Sequence, residues 1–245
     1  MNYKMILQYD GTRYNGWQRQ RATDNTIQGK LEMILTKMTG QPVEIHGAGR
    51  TDAGVHAKGQ VANFSLDTDR TPEEILHYIN DYLPDDIGIL YLSVVPPRFH
   101  SRLNATGKIY QYRIGKNRAQ NVFDRKYMYI HPAPLDMAAM KAASQYLLGK
   151  HDFKAFCGNA RMKKSTVRTI YSIEFEESES EIRITYYGNG FLQYMIRILT
   201  GTLLEVGEGK RSPESIQELF DNLDRSLAGA TAPACGLTLL EVKYD

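Results

Sequence analysis

The chain has 245 residues, 42% hydrophobic and 10% aromatic, which is enough for a packed core in one large domain or two small ones. No apolar run is long enough to span a bilayer, and Met1 to Asp10 lacks the basic, apolar and small-residue regions of a secretory signal, so a soluble, cytoplasmic protein is expected. The formal net charge of +2 excludes a uniformly basic protein, and Cys157 and Cys235, far apart and outside any CxxC pattern, read as two reduced thiols rather than a zinc site or disulfide framework.

Residues 3–9 read as a strand. Thr26 then caps a helix whose apolar positions Ile27, Leu31, Ile34, Leu35 and Met38 share one face, and Gly40 and Pro42 end it. A glycine-rich turn follows, and Gln60 to Leu66 alternates as a strand does. Thr71, Pro72 and Glu74 form a capping box with proline in the first turn, predicting a helix through about Leu83. Ile87 to Val95 is a further strand, and Pro96 and Pro97 break the pattern close to a domain boundary. The second half repeats this grammar. Strands are expected at Lys108 to Ile114, Val167 to Phe175, Glu181 to Tyr187 and Leu237 to Tyr244; helices at Asp136 to Leu148, Phe191 to Val206 and from Ser212-Pro213 onward. Adjacent strands without intervening helices make the class α+β, divided into domains 1–104 and 105–245.

The charge is unevenly spread. Residues 98–131 hold eight Lys and Arg against Asp124 alone, while the segments on either side carry a slight acidic excess. A second acid-free stretch holds Arg161, Lys163, Lys164 and Arg168, giving a polyanion two local places to dock.

The densest constellation is His46-Gly47-Ala48-Gly49-Arg50-Thr51-Asp52-Ala53-Gly54-Val55-His56-Ala57, in which small residues surround one carboxylate and one guanidinium. It has neither G-x-G-x-x-G nor Gly-Lys-Ser/Thr spacing, so it is not a phosphate-cradling loop of those kinds. Glycines around charged groups leave room for a ligand to approach, which fits a functional loop as well as an ordinary turn.

The stretch Gly49 to Ala57 resembles the catalytic signature of the tRNA pseudouridine synthase A family. Further matching motifs run in order along nearly the whole chain: Tyr9-Asp10-Gly11, Gly16-Trp17-Gln18, Phe99-His100-Ser101-Arg102, Lys108 to Tyr112, Val167 to Tyr171, Gly188 to Leu192, Met195-Ile196-Arg197, Gly201 to Gly207 and Thr231 to Leu237. The chain departs from the family pattern at Asn104, Gln193 and Tyr194. The resemblance implies two ferredoxin-like (RRM-like) halves with a joined, mainly antiparallel sheet, a central active-site cleft, and a homodimer that binds tRNA through its anticodon stem-loop. It further implies conversion of uridines 38, 39 and 40 to pseudouridine without metal or organic cofactor. A related enzyme acting on another structured RNA such as rRNA, or an RNA-binding protein without catalysis, would carry many of the same motifs.

Pseudouridine formation breaks the N1–C1′ bond, turns the uracil, joins C5 to C1′ and removes the C5 proton. Asp52 is the expected nucleophile, and three routes are open to it: attack at C1′, addition to C6, or removal of a sugar proton. A glycosidase-like pair of carboxylates is less apt, because the loop offers one acid only. By resemblance, Arg197 partners the carboxylate and keeps it ionised, although its apolar neighbours would equally suit an exposed helix arginine. Tyr110, by resemblance, lies against the flipped uracil; on periodicity alone it is a core strand tyrosine. Arg50 is a candidate to stack in the space vacated by the uridine. Tyr9-Asp10-Gly11 and Trp17 to Arg21 are expected to shape the cleft and the RNA-facing surface, with Arg19 and Arg21 as candidates to hold phosphates. Lys163, Lys164, Arg98, Arg102 and Lys108 are weaker candidates of the same kind, each equally readable as a solvated surface charge, and His56 reads as structural.

Overall fold

A computed structural model describes residues 1–159 and 161–245, and these form two compact units: Met1–Thr106 with Thr238–Asp245, and Gly107–Leu237. A single cut after residue 104 would assign the last strand to the second unit, whereas that strand belongs with the first.

The first unit runs β1 (Asn2–Tyr9), α1 (Ile27–Thr39), β2 (Ile45–Gly47), β3 (His56–Ser65), α2 (Pro72–Tyr82) and β4 (Ile87–Val95). Its sheet order is β4-β1-β3, with β2 on β3 and all pairings antiparallel, which is the ferredoxin-like β-α-β-β-α-β arrangement. The local signals act as expected. Thr26 Oγ1 accepts from the Gly29 N–H at 3.1 Å, and Gly40 terminates α1 in the left-handed region. Thr71 and Glu74 exchange their capping-box bonds at 3.2 and 2.7 Å. Ile27, Leu31, Ile34 and Leu35 of α1 are buried, as are Ile75 and Ile79 of α2, and each such side chain contributes about 1.5–3 kcal/mol.

The second unit contains β5 (Gly107–Gly115), β6 (Tyr129–Ile130), α3 (Met137–Gln145), β7 (Gly149–Asp152), β8 (Val167–Glu177), β9 (Glu181–Gly188), α4 (Met195–Gly207) and α5 (Ser215–Asn222). Its strand order is β5-β9-β8-β7, antiparallel, with β6 parallel on β5. Tyr112, Ile114, Ile184 and Tyr186 from the sheet and Ile198, Leu199 and Leu203 from α4 are fully buried and form its core. The last strand, β10 (Leu237–Lys243), runs parallel to β3 in the first unit, with Thr238 opposite His56 and Leu239 opposite Ala57.

The α+β class and the mainly antiparallel pairing match the sequence reading. Two details differ. The helix expected from Phe191 begins at Met195, because Tyr194 stands in the left-handed region at φ 60° and stops helical continuation toward Phe191. The short strands β2, β6 and β7 carry no signal in the sequence pattern.

Candidate active site

Asp52 lies in the turn between β2 and β3, half-buried, in a loop whose backbone is tied on several sides within the first unit. The Trp17 N–H donates to the Thr51 carbonyl at 3.0 Å, the Val55 N–H to the Asp52 carbonyl at 3.1 Å, and the Gln60 Nε2 to the Gly49 carbonyl at 3.0 Å. The Tyr9 hydroxyl and Thr51 Oγ1 share a buried hydrogen bond of 2.8 Å. Burial pushes the Tyr9 hydroxyl well up, against smaller opposing effects of Thr51 and Gln60, so it stays protonated and serves as structure.

Gly16 shows why this loop needs its neighbours. Its φ is +89°, and a Cβ there would sit 2.7 Å from the Thr51 carbonyl oxygen and 3.1 Å from the Asp52 carbonyl carbon. The segment Gly16-Trp17 therefore presses directly on the backbone that presents the carboxylate. His56 is buried at the far end of the loop, and its Nδ1 lies 3.0 Å from the Gly11 N–H and 3.2 Å from Asp10 Oδ1. This agrees with a structural role for His56. Tyr9 lies in Tyr9-Asp10-Gly11, a motif expected to shape the cleft, whereas the contributions of Gly16 and Gln60 were missed from the sequence; the signal available for Gly16 was its place in the motif Gly16-Trp17-Gln18.

Arg50 is exposed on the same loop, and Arg21 is exposed before α1. Arg19 is exposed too, but its Nη1 bonds the buried Glu32 at 2.9 Å. Glu32 also accepts from Gln28 Nε2 at 2.8 Å and from the Ile45 N–H at 3.1 Å, so one buried carboxylate ties α1, β2 and the Arg19 segment together.

Tyr110 and Arg197 belong to the second unit. Tyr110 is buried on β5 opposite Tyr186 of β9, and Phe191 meets its ring edge-on with centroids 5.4 Å apart. Arg197 is in the first turn of α4, half-buried rather than an exposed helix arginine. Its Nε donates to the Ala232 carbonyl at 2.7 Å, and its guanidinium lies 5.1 Å from the centre of the Tyr194 ring. A cation at the positive end of a helix concentrates positive potential, a setting suited to an anion. The short segment Phe191–Tyr194 thus supports both residues, and Tyr194, a departure from the family pattern, is one of the supports. The other departures are also engaged: the Gln193 carbonyl accepts from the Gly158 N–H at 2.8 Å, and Asn104 Oδ1 from the His100 N–H at 2.7 Å.

The chain around Ala232 is held as closely as the Asp52 loop. A Cβ on Gly201 of α4 would sit 1.7 Å from the Ala230 carbonyl oxygen, so only glycine lets this segment lie against the helix. Tyr112 donates its hydroxyl to the Pro233 carbonyl at 2.8 Å. Burial raises the Cys235 thiol, with Arg197 a minor opposing influence, which keeps this cysteine a neutral thiol.

Lys163 and Lys164 are exposed ahead of β8. Within the basic segment Arg113 bonds Glu181 at 2.8 Å and Asp124 at 3.3 Å, and Lys116 bonds Glu177 at 2.7 Å. Among the described residues, no group of three or more His, Cys, Asp or Glu is arranged to hold a metal ion, and no helix is long and apolar enough to cross a membrane.

Comparison with known proteins agrees with the motif reading. A family model described as tRNA pseudouridine synthase matches residues 5–103 and 143–245. A tRNA pseudouridine synthase A of Bacillus sp. (strain KSM-64) is 46% identical over 243 residues, 99% of each chain. A tRNA pseudouridine synthase A 1 of Clostridium tetani is 44% identical over 243 residues, 99% of each, and a tRNA pseudouridine synthase A of Brevibacillus brevis 42% identical over 241 residues, 98% of each. The chain belongs to the tRNA pseudouridine synthase family.

Proposed function

We propose that this enzyme isomerises uridine to pseudouridine at positions 38, 39 and 40 of the tRNA anticodon stem-loop, with Asp52 opening the reaction. The observation that supports this most is the Asp52 loop: one half-buried carboxylate on a backbone tied by Trp17 and Gln60 and buttressed by Tyr9 and Gly16. A fixed carboxylate is what all three routes require, whether it attacks C1′, adds to C6 or takes a sugar proton. In each, the N1–C1′ bond breaks, the uracil turns within its enclosure, C5 joins C1′, and the C5 proton is lost while N1 gains one. Atoms and electrons balance within the substrate.

Tyr110 is assigned to the flipped uracil, where its ring stacks on the base, supported from the side by Phe191. Arg197 supplies the positive charge that favours an ionised nucleophile, its guanidinium aimed by Ala232 and Tyr194. Arg50 enters the space left by the extruded base, and Arg19, Arg21, Lys163 and Lys164 neutralise phosphates. The nucleophile comes from the unit Met1–Thr106 with Thr238–Asp245, and the other two catalytic groups from Gly107–Leu237. The working form is a cytoplasmic homodimer.

The test is incubation of the purified protein with unmodified tRNA transcripts carrying uridine at 38, 39 or 40, followed by position-resolved pseudouridine detection. Product at those positions is expected, and none in transcripts with cytidine there. Product confined to another part of tRNA, or formed only on rRNA, would overturn the assignment.

A further inference from the structure

Between β1 and α1, residues 10–17 form only one short 3-10 turn, Gly11–Arg13, and they lie against the Asp52 loop. The Tyr14 carbonyl accepts from the Gly54 N–H at 3.3 Å, and a Cβ on Gly11 would sit 2.0 Å from the Val55 carbonyl oxygen. Together with Gly16 and Trp17, which meet Thr51 and Asp52, these residues make a collar around the loop from Thr51 to Val55. Whatever fixes the collar therefore fixes the backbone that carries the carboxylate.

The two ends of the collar are fastened differently. At α1, the Ile27 N–H donates to the Gly16 carbonyl at 3.2 Å and the Gln28 N–H to the Trp17 carbonyl at 3.0 Å. Near β1, beside the contact of His56 with Gly11, the fastening comes from Asp86 in the turn between α2 and β4. The Asp86 carbonyl accepts from the Asp10 N–H at 2.9 Å. Its Oδ2 accepts from Arg13 Nε and Nη2 at 3.0 and 2.6 Å, and its Oδ1 from the Tyr14 hydroxyl at 2.5 Å. The Asp86 carboxylate is only 12% exposed and Tyr14 is buried, so the phenol bond is charge-assisted and shielded from water. Arg13 is exposed, and an ion pair there is worth less. Burial, and after it the Asp86 hydrogen bond, raise the Tyr14 hydroxyl, which keeps it a donor.

Both carboxylate oxygens and the carbonyl of Asp86 thus serve one segment, and none of these bonds joins a helix to a strand. Asp86 also lies outside every motif named above. We propose that Asp86 is a positioning residue for the reaction: through Tyr14 and Arg13 it sets where the collar stands, and with the collar the Asp52 carboxylate. This rests on the reading of Asp52 as the group that opens the reaction. A shift of about 1 Å in a reacting group costs about 10²-fold in rate, so a loosened collar is felt in turnover before it is felt in RNA binding.

The test is the single-turnover rate at saturating tRNA, taken per folded molecule by circular dichroism at the assay temperature, beside the Kd for the same tRNA. Asp86→Ala is expected to lower the rate about tenfold or more while Kd stays within about twofold. Tyr14→Phe, which removes one oxygen from a buried ring, should lower it about threefold or more. Asp86→Asn, whose oxygen still accepts from Tyr14, should recover most of what Asp86→Ala loses. The Asp86→Ala, Tyr14→Phe double variant should be no slower than Asp86→Ala, since both changes act through one contact. A variant that loses stability but keeps its rate per folded molecule would overturn the proposal; if Asp86→Ala does not fold, Tyr14→Phe decides it. A loss confined to Kd would overturn it as well. An Asp52→Asn protein of normal rate would count against the functional reading instead.

Discussion

At Gly16 a single methyl group decides whether the Asp52 loop can keep its shape. Alanine there meets two obstacles, a φ of +89° that it rarely adopts and the Thr51 carbonyl oxygen 2.7 Å from its Cβ. Gly16→Ala should lower stability by about 1–3 kcal/mol and reduce turnover further than stability alone explains, because the backbone that yields is the one carrying the carboxylate. Parallel thermal unfolding and single-turnover assays separate the two effects. Asp52→Asn should do the opposite: unfolding temperature and tRNA affinity close to those of the unaltered protein, within about tenfold for binding, and turnover lower by about 10⁴-fold or more, since an amide serves neither as nucleophile nor as base. A well-folded Asp52→Asn protein with near-normal turnover would remove Asp52 from the chemistry.

Among the elements, β9 and β5 are joined by charge as well as by their ladder. Burial alone would raise the Glu181 carboxyl, but hydrogen bonds from Arg113 and Arg183 outweigh it and hold the group below its ordinary 4.5. Folded Glu181 thus gives up its proton more readily than the unfolded chain does, so its contribution is complete above about pH 4.5 and is lost as pH falls below it. Glu181→Gln should flatten the acid limb of a stability–pH profile and cost about 2 kcal/mol at neutral pH, where Arg113 and Arg183 lose their partner. The elements themselves were largely readable. Thr26, Gly40 and the Thr71–Glu74 box announce helix ends by local chemistry, and such signals survive folding unchanged. The strands β2, β6 and β7 span two to four residues, too short for any periodicity to register. The late start of α4 depends on one non-glycine residue at positive φ, which no propensity foretells. The site was legible as a motif around Asp52, whereas its supports, Tyr9 and Gln60 from strands far apart in sequence, become neighbours only when β1 pairs with β3.

For the molecule as a whole, the relevant quantity is charge left over after internal pairing. Counting along the sequence makes residues 98–131 strongly basic, yet Arg113 and Lys116 spend their charge on β8 and β9. Lys163 and Lys164, exposed in a stretch without acids, are better placed to release counterions from RNA. Replacing both with Ala should weaken binding of many tRNAs alike and lower the slope of log K against log salt by about one for each phosphate that is no longer neutralised; an unchanged slope would take them out of the interface.

The strand that flanks the start of β3 is β10, whose residues follow the whole of the second unit in the chain. During synthesis at about 5–20 residues per second, the ribosome must add residues 107–237 after the Asp52 loop has emerged before Thr238 and Leu239 can reach His56 and Ala57, a delay of roughly ten seconds. Through that interval the backbone edge just beyond the Asp52 loop stands open. The loop that carries Asp52 is made before the second unit and completed only after it.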